Sequence, residues 1–350
     1  MKLASSNHER WSERLIRETE IAEILGKLTK GFADDVADVI KRGRPGNMYE
    51  AVVSSQFDAD RLDYMQRDRL MTGTLHGAID FAWLLANLEV GEVKYGQDDD
   101  PEFVGTVETF VLGPKAVSAA ETYVLGLLQL YQTVYLHKVT RGIEKLFTEL
   151  LLRLFEAVRA GDVANTGLPA THPLVKFAQN PDNIECYLAL DDAVVWGALP
   201  MLAYSNDAVV AELSKRIHDR RLYKSLDVIQ LVGQGARGKL DDLRSKHCCS
   251  EVFRRLEDWQ KDNVHSSHQL LLDHSDREPY KRFNESKGPL NQIRIRSEYS
   301  DELVDIITRS PVVKAIPTAD FWRAYVPKDN DKLRKFVDST VQEVVNEQLN

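Results

Sequence analysis

The sequence predicts a mainly α-helical protein, with a helical domain over residues 1–220 followed by a smaller α+β lobe over residues 221–350. Two observations predict this architecture. Apolar residues recur at helical spacing through most of the first two thirds of the chain, and short apolar runs separated by turn residues follow in the last third. With 350 residues, 43% of them hydrophobic, the chain is long enough for one large domain or two smaller ones.

The helical domain is predicted from an apolar periodicity that Gly and Pro interrupt. Its predicted helices lie at residues 9–28, 32–41, 58–72, 78–88, 115–160, 188–204 and 207–219. Gly and Pro mark loops at 42–47 and 161–173. Apolar and polar residues alternate on either side of an acidic turn at 98–101, which predicts a two-stranded insertion near 90–112.

The α+β lobe is predicted from short apolar runs between two longer helical patterns. The predicted strands lie at 222–229, 269–273, 292–296 and 321–326. The predicted helices of the lobe lie at 239–261 and 331–348.

Charge and cysteine content exclude several classes of protein. A formal net charge of -9 argues against non-specific nucleic-acid binding, which needs a cationic surface. No apolar run reaches the length of a membrane span. The three cysteines, Cys186, Cys248 and Cys249, contain no C-x-x-C pair. We therefore expect a cytoplasmic protein with reduced thiols and no membrane partner.

The most informative segment is the string SSQFDADRLDYMQRDRLMTG at residues 54–73. On a helix, four of its side chains fall within an arc of about 100°: Asp60, Arg61, Tyr64 and Asp68. Such an arc is either a core face on which acids and arginines pair, or a functional face that converges on an interior cavity.

The apolar residues of the same segment do not form one stripe. They scatter around the whole circumference of the helix: Leu62, Met65, Leu70 and Met71. Because a surface helix normally shows a single apolar stripe, we expect this helix to be buried on most sides, with its carboxylates inside.

The string resembles the last motif of the HD-superfamily phosphohydrolases, in the branch of dGTPases and dNTP triphosphohydrolases, with the pattern D-x-D-R/K-x-D-Y-x-x-R-D. The resemblance implies that Asp60 closes the family's catalytic metal site, which holds a divalent cation such as manganese, magnesium, iron or zinc. It also implies that Arg61 contacts the substrate phosphates, that Tyr64 lines the substrate pocket, and that Asp68 holds the sugar 3'-hydroxyl.

Two further stretches are similar to segments of the same family. The string HERWS at residues 8–12 resembles the family's H-E-x-x-S helix start, which implies that His8 lies near the phosphates as a general acid. The string YQTVYLHK at residues 131–138 resembles Y-x-x-V-Y-x-H-K. It implies substrate-binding roles for four residues: Tyr131, Tyr135 on the sugar and base side, His137 and Lys138.

The chain departs from the family pattern at two places. The family's His and His-Asp ligands precede the segment that His8 matches, and no histidine stands among residues 1–7. Leu127 stands where the family has an arginine that reaches the substrate, and leucine lacks that cation. From the sequence we therefore expect an N-terminally truncated HD-type domain with an incomplete metal site, which reflects a displaced start, a split gene or a degenerate homologue.

The resemblance implies a deoxynucleoside triphosphate triphosphohydrolase-like protein, which converts a dNTP to a deoxynucleoside and triphosphate. The alternative is a non-catalytic nucleotide-binding or assembly subunit. A purely structural helical protein is a third interpretation, but it leaves the charged arc unexplained. We also expect a homo-oligomer, because missing helices would expose an apolar cleft over residues 58–72.

Overall fold

The computed structural model describes residues 8–42, 45–95, 105–283 and 288–349, and the chain divides into two compact units. Unit 1 comprises Met1–Val134 and Arg277–Ala319, and unit 2 comprises Tyr135–Asp276 and Asp320–Asn350. The predicted boundary between residues 220 and 221 stays a prediction, and the two units divide the chain at other positions.

The described residues form seventeen α-helices and seven β-strands. The helices are α1 (His8–Glu18), α2 (Glu20–Gly26), α3 (Phe32–Arg42), α4 (Met48–Ser54), α5 (Ala59–Thr72), α6 (Phe81–Ala86), α7 (Val117–Leu130), α8 (Lys138–Arg159), α9 (Pro173–Gln179), α10 (Ile184–Leu188), α11 (Asp192–Leu202), α12 (Ala208–His218), α13 (Val228–Ala236), α14 (Asp242–Asp262), α15 (Ile306–Arg309), α16 (Pro311–Ala315) and α17 (Asp331–Leu349). The strands are β1 (Leu88–Tyr95), β2 (Gly105–Leu112), β3 (Lys224–Asp227), β4 (Leu271–Arg277), β5 (Arg294–Arg296), β6 (Leu303–Asp305) and β7 (Ala319–Val326). The predicted fold class, mainly α with a smaller α+β part, is confirmed.

Unit 1 contains a four-stranded sheet with the strand order β1-β2-β5-β6. Strands β1 and β2 form an antiparallel hairpin whose register runs from Leu88 opposite Leu112 to Tyr95 opposite Gly105. This hairpin confirms the insertion predicted near residues 90–112, whereas the acidic turn at 98–101 lies outside the described residues. Strand β5 joins β2 in parallel and pairs with β6 in antiparallel orientation.

Helices α5 and α7 pack against each other in unit 1. The fully buried Met65 of α5 lies against Gly126 of α7, where an added Cβ would stand 3.3 Å from the Met65 Cε and 3.0 Å from the Cα of Gly77. Only glycine therefore permits this close approach without a shift of its neighbours. The contact fixes the helix that carries the charged arc against the apolar core of unit 1.

Unit 2 contains a three-stranded sheet, in which β7 lies between β3 and β4. One apolar core lies where α8 packs against α9 and α12, with Leu146, Leu150 and Leu213 fully buried. A second core lies among α13, α14 and α17, with Val232 and Val341 fully buried. Within the described parts of the chain, no helix is both long and apolar enough to cross a membrane.

Two long predicted helices are each interrupted. The helix predicted at 9–28 breaks at Thr19, whose backbone is extended and whose hydroxyl accepts a hydrogen bond from the Ile21 N–H at 3.3 Å, so that Thr19 caps α2. The helix predicted at 115–160 is α7 and α8, separated by a π-helical turn at Tyr131–Tyr135. The Thr133 hydroxyl donates to the Gln129 carbonyl at 2.7 Å in this turn, a local bond that bends helices.

The expectation that α5 is buried on most sides is wrong. Leu62 and Met65 are buried, but Leu70 is 80% exposed and Met71 is 79% exposed. The first half of α5 therefore packs into unit 1, and its last turn projects two apolar side chains outward. The helices α4, α9, α10, α13, α15 and α16 and the strand β6 were not predicted from the sequence.

Candidate functional site

The candidate site is built at the N-terminus of α5. Asp58 caps this helix, because its Oδ1 accepts a hydrogen bond from the Arg61 N–H at 2.7 Å. The Arg61 Nε lies 3.4 Å from the Asp58 Oδ2, so the same carboxylate holds the guanidinium. Asp58 is only 6% exposed, and burial raises the pKa of its carboxyl although the Arg61 charge opposes that shift.

Three tyrosines lie close enough to Arg61 to interact with its charge: Tyr64, Tyr123 and Tyr131. Burial raises the pKa of Tyr64 to about 12 and raises that of the almost fully buried Tyr123 still further. Burial alone would lower the pKa of Arg61, but the Tyr123 hydroxyl and the Asp58 carboxylate hold that pKa above its ordinary value. The guanidinium is therefore a permanent cation among neutral phenols.

Gln56 connects the chain before α5 to a segment that is distant in sequence. Its side-chain Nε2 donates to the Lys281 carbonyl at 2.8 Å and to the Gln292 Oε1 at 2.6 Å, and its Oε1 accepts from the Lys281 N–H at 2.5 Å. Its backbone carbonyl accepts from the Tyr123 hydroxyl at 2.8 Å. This buried amide therefore brings Lys281 to the side of Asp58 and Arg61. The Gln56 N–H brings Asn291 there as well, because it donates to the Asn291 carbonyl at 3.1 Å.

These elements surround a cavity of about 350 Å³ within unit 1. Its lining residues are His8, Glu9, Ile40, Val53, Ser54, Gln56, Asp58, Arg61, Lys281 and Asn291. The basic groups are His8, Arg61 and Lys281, and the acidic groups are Glu9 and the largely desolvated Asp58. The mixture of cations and amides suits an anionic group with several oxygen acceptors.

The structure brings some of the predicted site residues of unit 1 to this cavity. His8 and Arg61 line the cavity, whereas Tyr64 and Tyr131 are half-buried beside Arg61. Asp68 lies two turns further along α5 and is partly buried.

Asp60 requires a correction. The expectation that its carboxylate lies inside is wrong, because the residue is exposed in the first turn of α5 and does not line the cavity. Asp58, two residues earlier, is the buried carboxylate of the motif. The difference arises because Asp58 precedes the first helical residue and turns back to cap it, whereas Asp60 follows the outward face of the helix.

The remaining predicted site residues belong to unit 2. Tyr135 is half-buried, and Lys138 is exposed with its carbonyl accepting a hydrogen bond from the Tyr325 hydroxyl at 3.0 Å. His137 caps α8, because its Nδ1 accepts from the Val139 N–H at 3.4 Å. Their predicted roles toward a substrate stay predictions.

Sequence reasoning missed Gln56, Lys281 and Asn291 as site residues. Gln56 belongs to the informative string, but a buried glutamine leaves no periodic signal. Lys281 is 225 positions away from Gln56 along the chain. Only the folded chain shows that the two residues meet.

The described residues do not fit the metal site that the family resemblance implies. No group of three or more His, Cys, Asp or Glu side chains that could hold a cation occurs among them, and Asp60 is exposed. Leu127, at the position of the family's arginine, is fully buried in the apolar core of unit 1. No chemical step is therefore assigned to a cation held by these residues.

Comparisons with known proteins give relatives without an established activity and structures with a related fold. No family model matches the chain. The uncharacterized protein YwfO of Bacillus subtilis is 25% identical over 338 residues, which cover 94% of this chain and 69% of that protein. The uncharacterized protein MJ1154 of Methanocaldococcus jannaschii is 27% identical over 146 residues, 41% of this chain and 30% of that protein.

Two solved structures resemble the chain over most of its length. A hypothetical protein of Aquifex aeolicus has a TM-score of 0.59 at 20% identity and covers 96% of this chain and 72% of its own. A phosphohydrolase of Bacteroides thetaiotaomicron has a TM-score of 0.63 at 20% identity and covers 92% of this chain and 72% of its own. The chain described above therefore shares its fold with a phosphohydrolase.

Proposed function

We propose that this chain binds the phosphate tail of a deoxynucleoside triphosphate and takes part in its hydrolysis to deoxynucleoside and triphosphate. The observation that carries the proposal is the placement of Arg61, oriented by the buried Asp58, in a cavity that His8 and Lys281 also line. The motif at residues 54–73 supports the nucleotide as substrate class. The fold shared with a phosphohydrolase supports the reaction class.

The residues of unit 1 take the following parts in the proposed reaction. Arg61 binds phosphate oxygens through its planar fork of donors. Hydrolysis adds water across the bond between the sugar oxygen and the phosphorus, and His8 donates the proton that the leaving sugar oxygen requires. Tyr64 and Tyr131 contact the sugar, and the Asp68 carboxylate accepts the hydrogen bond of the 3'-hydroxyl.

Other predicted parts of the active protein are proposals of the same kind. On the family resemblance alone, Asp60 is proposed to contribute one ligand to a divalent cation. Tyr135, His137 and Lys138 are proposed as substrate or subunit contacts of unit 2. Self-association into a homo-oligomer stays a prediction.

A second candidate function is nucleotide binding without catalysis. Leu127 favours it, because a fully buried leucine replaces the cation that the family places near the substrate. In this case the chain would retain Arg61 and its cavity as a binding or assembly subunit. Affinity for a nucleotide without any turnover distinguishes this candidate from the enzyme.

Arg61→Gln tests the proposed function. We expect the variant to bind dGTP at least tenfold more weakly by titration calorimetry, because a charge-assisted hydrogen bond contributes roughly 1.5–3 kcal/mol. Arg69→Gln is the matched control, since Arg69 is exposed in the last turn of the same helix and does not line the cavity. Equal affinities of Arg61→Gln and the unsubstituted chain would remove the basis of the proposal.

Turnover separates the two candidate functions. The full chain is incubated with dGTP and manganese, and the release of deoxyguanosine and triphosphate is followed by chromatography. Product formation that Arg61→Gln reduces and Arg69→Gln does not supports the enzyme. Binding of dGTP without product favours the non-catalytic subunit.

A further inference from the structure

We infer that Gln56 is a positioning residue that holds Lys281 and Arg61 on one cavity, so that both cations engage a single polyphosphate chain. The inference rests on the proposed function, because it concerns the same cavity. It goes beyond that function by assigning Lys281 as a second phosphate-binding cation and by naming the residue that sets its place. A linear polyphosphate, and not a single phosphate group, is the ligand that two such cations select.

The first observation is the way Gln56 holds the segment that carries Lys281. The side-chain amide makes three hydrogen bonds of 2.5 to 2.8 Å, two with the Lys281 backbone and one with Gln292. The Gln56 N–H adds a fourth bond to this segment, to the Asn291 carbonyl at 3.1 Å. Because both amide hydrogens and the amide oxygen are engaged and the residue is 4% exposed, the segment has little freedom to move.

The second observation is the way the same residue is tied to Arg61. Gln56 stands two residues before Asp58, the cap that orients the Arg61 guanidinium. The Gln56 carbonyl accepts from the Tyr123 hydroxyl, and Tyr123 also lies beside Arg61. A change at Gln56 therefore acts on both cations at once.

The third observation is the charge and size of the cavity. Arg61 and Lys281 come from parts of the chain more than two hundred positions apart, and His8 adds a third basic group. Glu9 and Asp58 oppose them, but both oxygens of the Asp58 carboxylate are already engaged by Arg61, one by its N–H and the other by its guanidinium. A cavity of about 350 Å³ is larger than one phosphate group needs, whereas a chain of phosphates would span its basic groups.

The test measures tripolyphosphate and orthophosphate binding to the full chain by titration calorimetry. We expect Lys281→Met to weaken tripolyphosphate binding at least tenfold and orthophosphate binding far less. Gln56→Asn, whose shorter amide cannot reach the same partners, should lose most of the same tripolyphosphate affinity. The double variant should lose less affinity than the sum of the two single losses, because part of the effect of Gln56 acts through the position of Lys281.

Two controls separate positioning from general loss of structure. Lys314→Met removes an exposed lysine from a neighbouring cavity of about 540 Å³ that Lys281 also lines, and it should leave tripolyphosphate affinity unchanged. Leu84→Ala removes a fully buried core side chain, so it should lower the melting temperature without altering the ratio of the two affinities. Should Gln56→Asn not fold, Gln292→Leu removes a partner of the same amide and serves in its place.

Each outcome bears on the inference. Additive losses in the double variant, or unchanged tripolyphosphate affinity in Lys281→Met, overturn it. If the unsubstituted chain binds dGTP but not tripolyphosphate, the inference fails and the proposed function survives. If it binds neither, both fail.

Discussion

Asp58 is both a helix cap and a buried acid, and the two roles respond differently to substitution. Burial raises the pKa of the Asp58 carboxyl above its ordinary value of 3.8. The folded protein is therefore most stable when this carboxyl is protonated. That part of the stability is lost as the pH rises from 3.8 through the raised pKa. We expect Asp58→Asn to keep the cap, since its amide oxygen still accepts from the Arg61 N–H, and to be at least as stable at pH 7. Asp58→Ala should lose about 1 kcal/mol.

Urea unfolding between pH 4 and pH 8 measures both effects of Asp58. The unsubstituted chain should lose part of its free energy of unfolding from Asp58 as the pH rises through the lower part of this range, and Asp58→Asn should not. An asparagine variant as unstable as the alanine variant would show that the charge, and not the cap, is what this position contributes.

At the scale of single residues, the sequence singled out the segment that lines the cavity, but it predicted a buried Asp60 where the structure buries Asp58. The helical arc grouped Asp60 with Arg61, because a helical projection treats every residue as helical and does not show where the helix starts. Asp58 lies outside the helix proper, and its direction is set by capping. Arg61 and His8 both line the cavity, and their roles toward a substrate stay predictions. Gln56 and Lys281 could not be found from the sequence, since their bonds join distant parts of the chain.

At the scale of elements, α8 and β4 are joined in unit 2 through one buried carboxylate. Asp273 is 1% exposed, and its two oxygens accept from Arg141 at 2.5 and 3.0 Å, with the Lys145 Nζ at 3.2 Å. Burial pushes the pKa of Asp273 up, but the Arg141 hydrogen bonds and the Lys145 charge outweigh it and hold that pKa below 3.8. These two ion pairs therefore hold α8 against β4, an edge strand of the sheet.

We expect Asp273→Asn to destabilise the protein by about 1.5–3 kcal/mol, because Lys145 loses its charged partner and Arg141 keeps only Glu144. The contribution of Asp273 is fully present above pH 3.8 and is lost as pH falls through its lowered pKa. Urea unfolding at pH 3 and pH 6 should show a smaller difference between the variant and the unsubstituted chain at the lower pH. The exposed pair of Arg67 and Asp63 is the control, and Asp63→Asn should cost less than about 1 kcal/mol.

Element prediction succeeded where a cap and a periodic pattern coincide, as in α5 and α17. It failed for the stretch 115–160, because the apolar periodicity continues through the π-helical turn and no Gly or Pro marks the break. The short helices α15 and α16 and the three-residue strand β6 were missed for a different reason. Their lengths are too small for any period to show.

At the scale of the whole molecule, each unit is assembled from two separate stretches of the chain. Deleting residues 319–350 should unfold unit 2, because it removes β7, the central strand of the sheet, and α17, which packs on α13 and α14. Hydrogen exchange should then show no protection in β3 and β4. Deleting only residues 346–350 is the control, since most of these side chains are exposed, and protection should remain.

Protection of β3 and β4 after the longer deletion would show that the last segment is an accessory to unit 2. The sequence could not reveal this interleaving. Helical and strand patterns report local periodicity, and a boundary drawn where the pattern changes assumes that neighbours in sequence are neighbours in space.

The central place of β7 in its sheet imposes an order on biosynthesis. As the nascent chain leaves the ribosome, β3 and β4 emerge well before the strand that pairs with both of them. Until β7 has emerged as well, their backbone amides and carbonyls stay open to other strands. We therefore expect the nascent chain to be most prone to aggregate, and most dependent on chaperones, in the interval between the synthesis of β3 and that of β7.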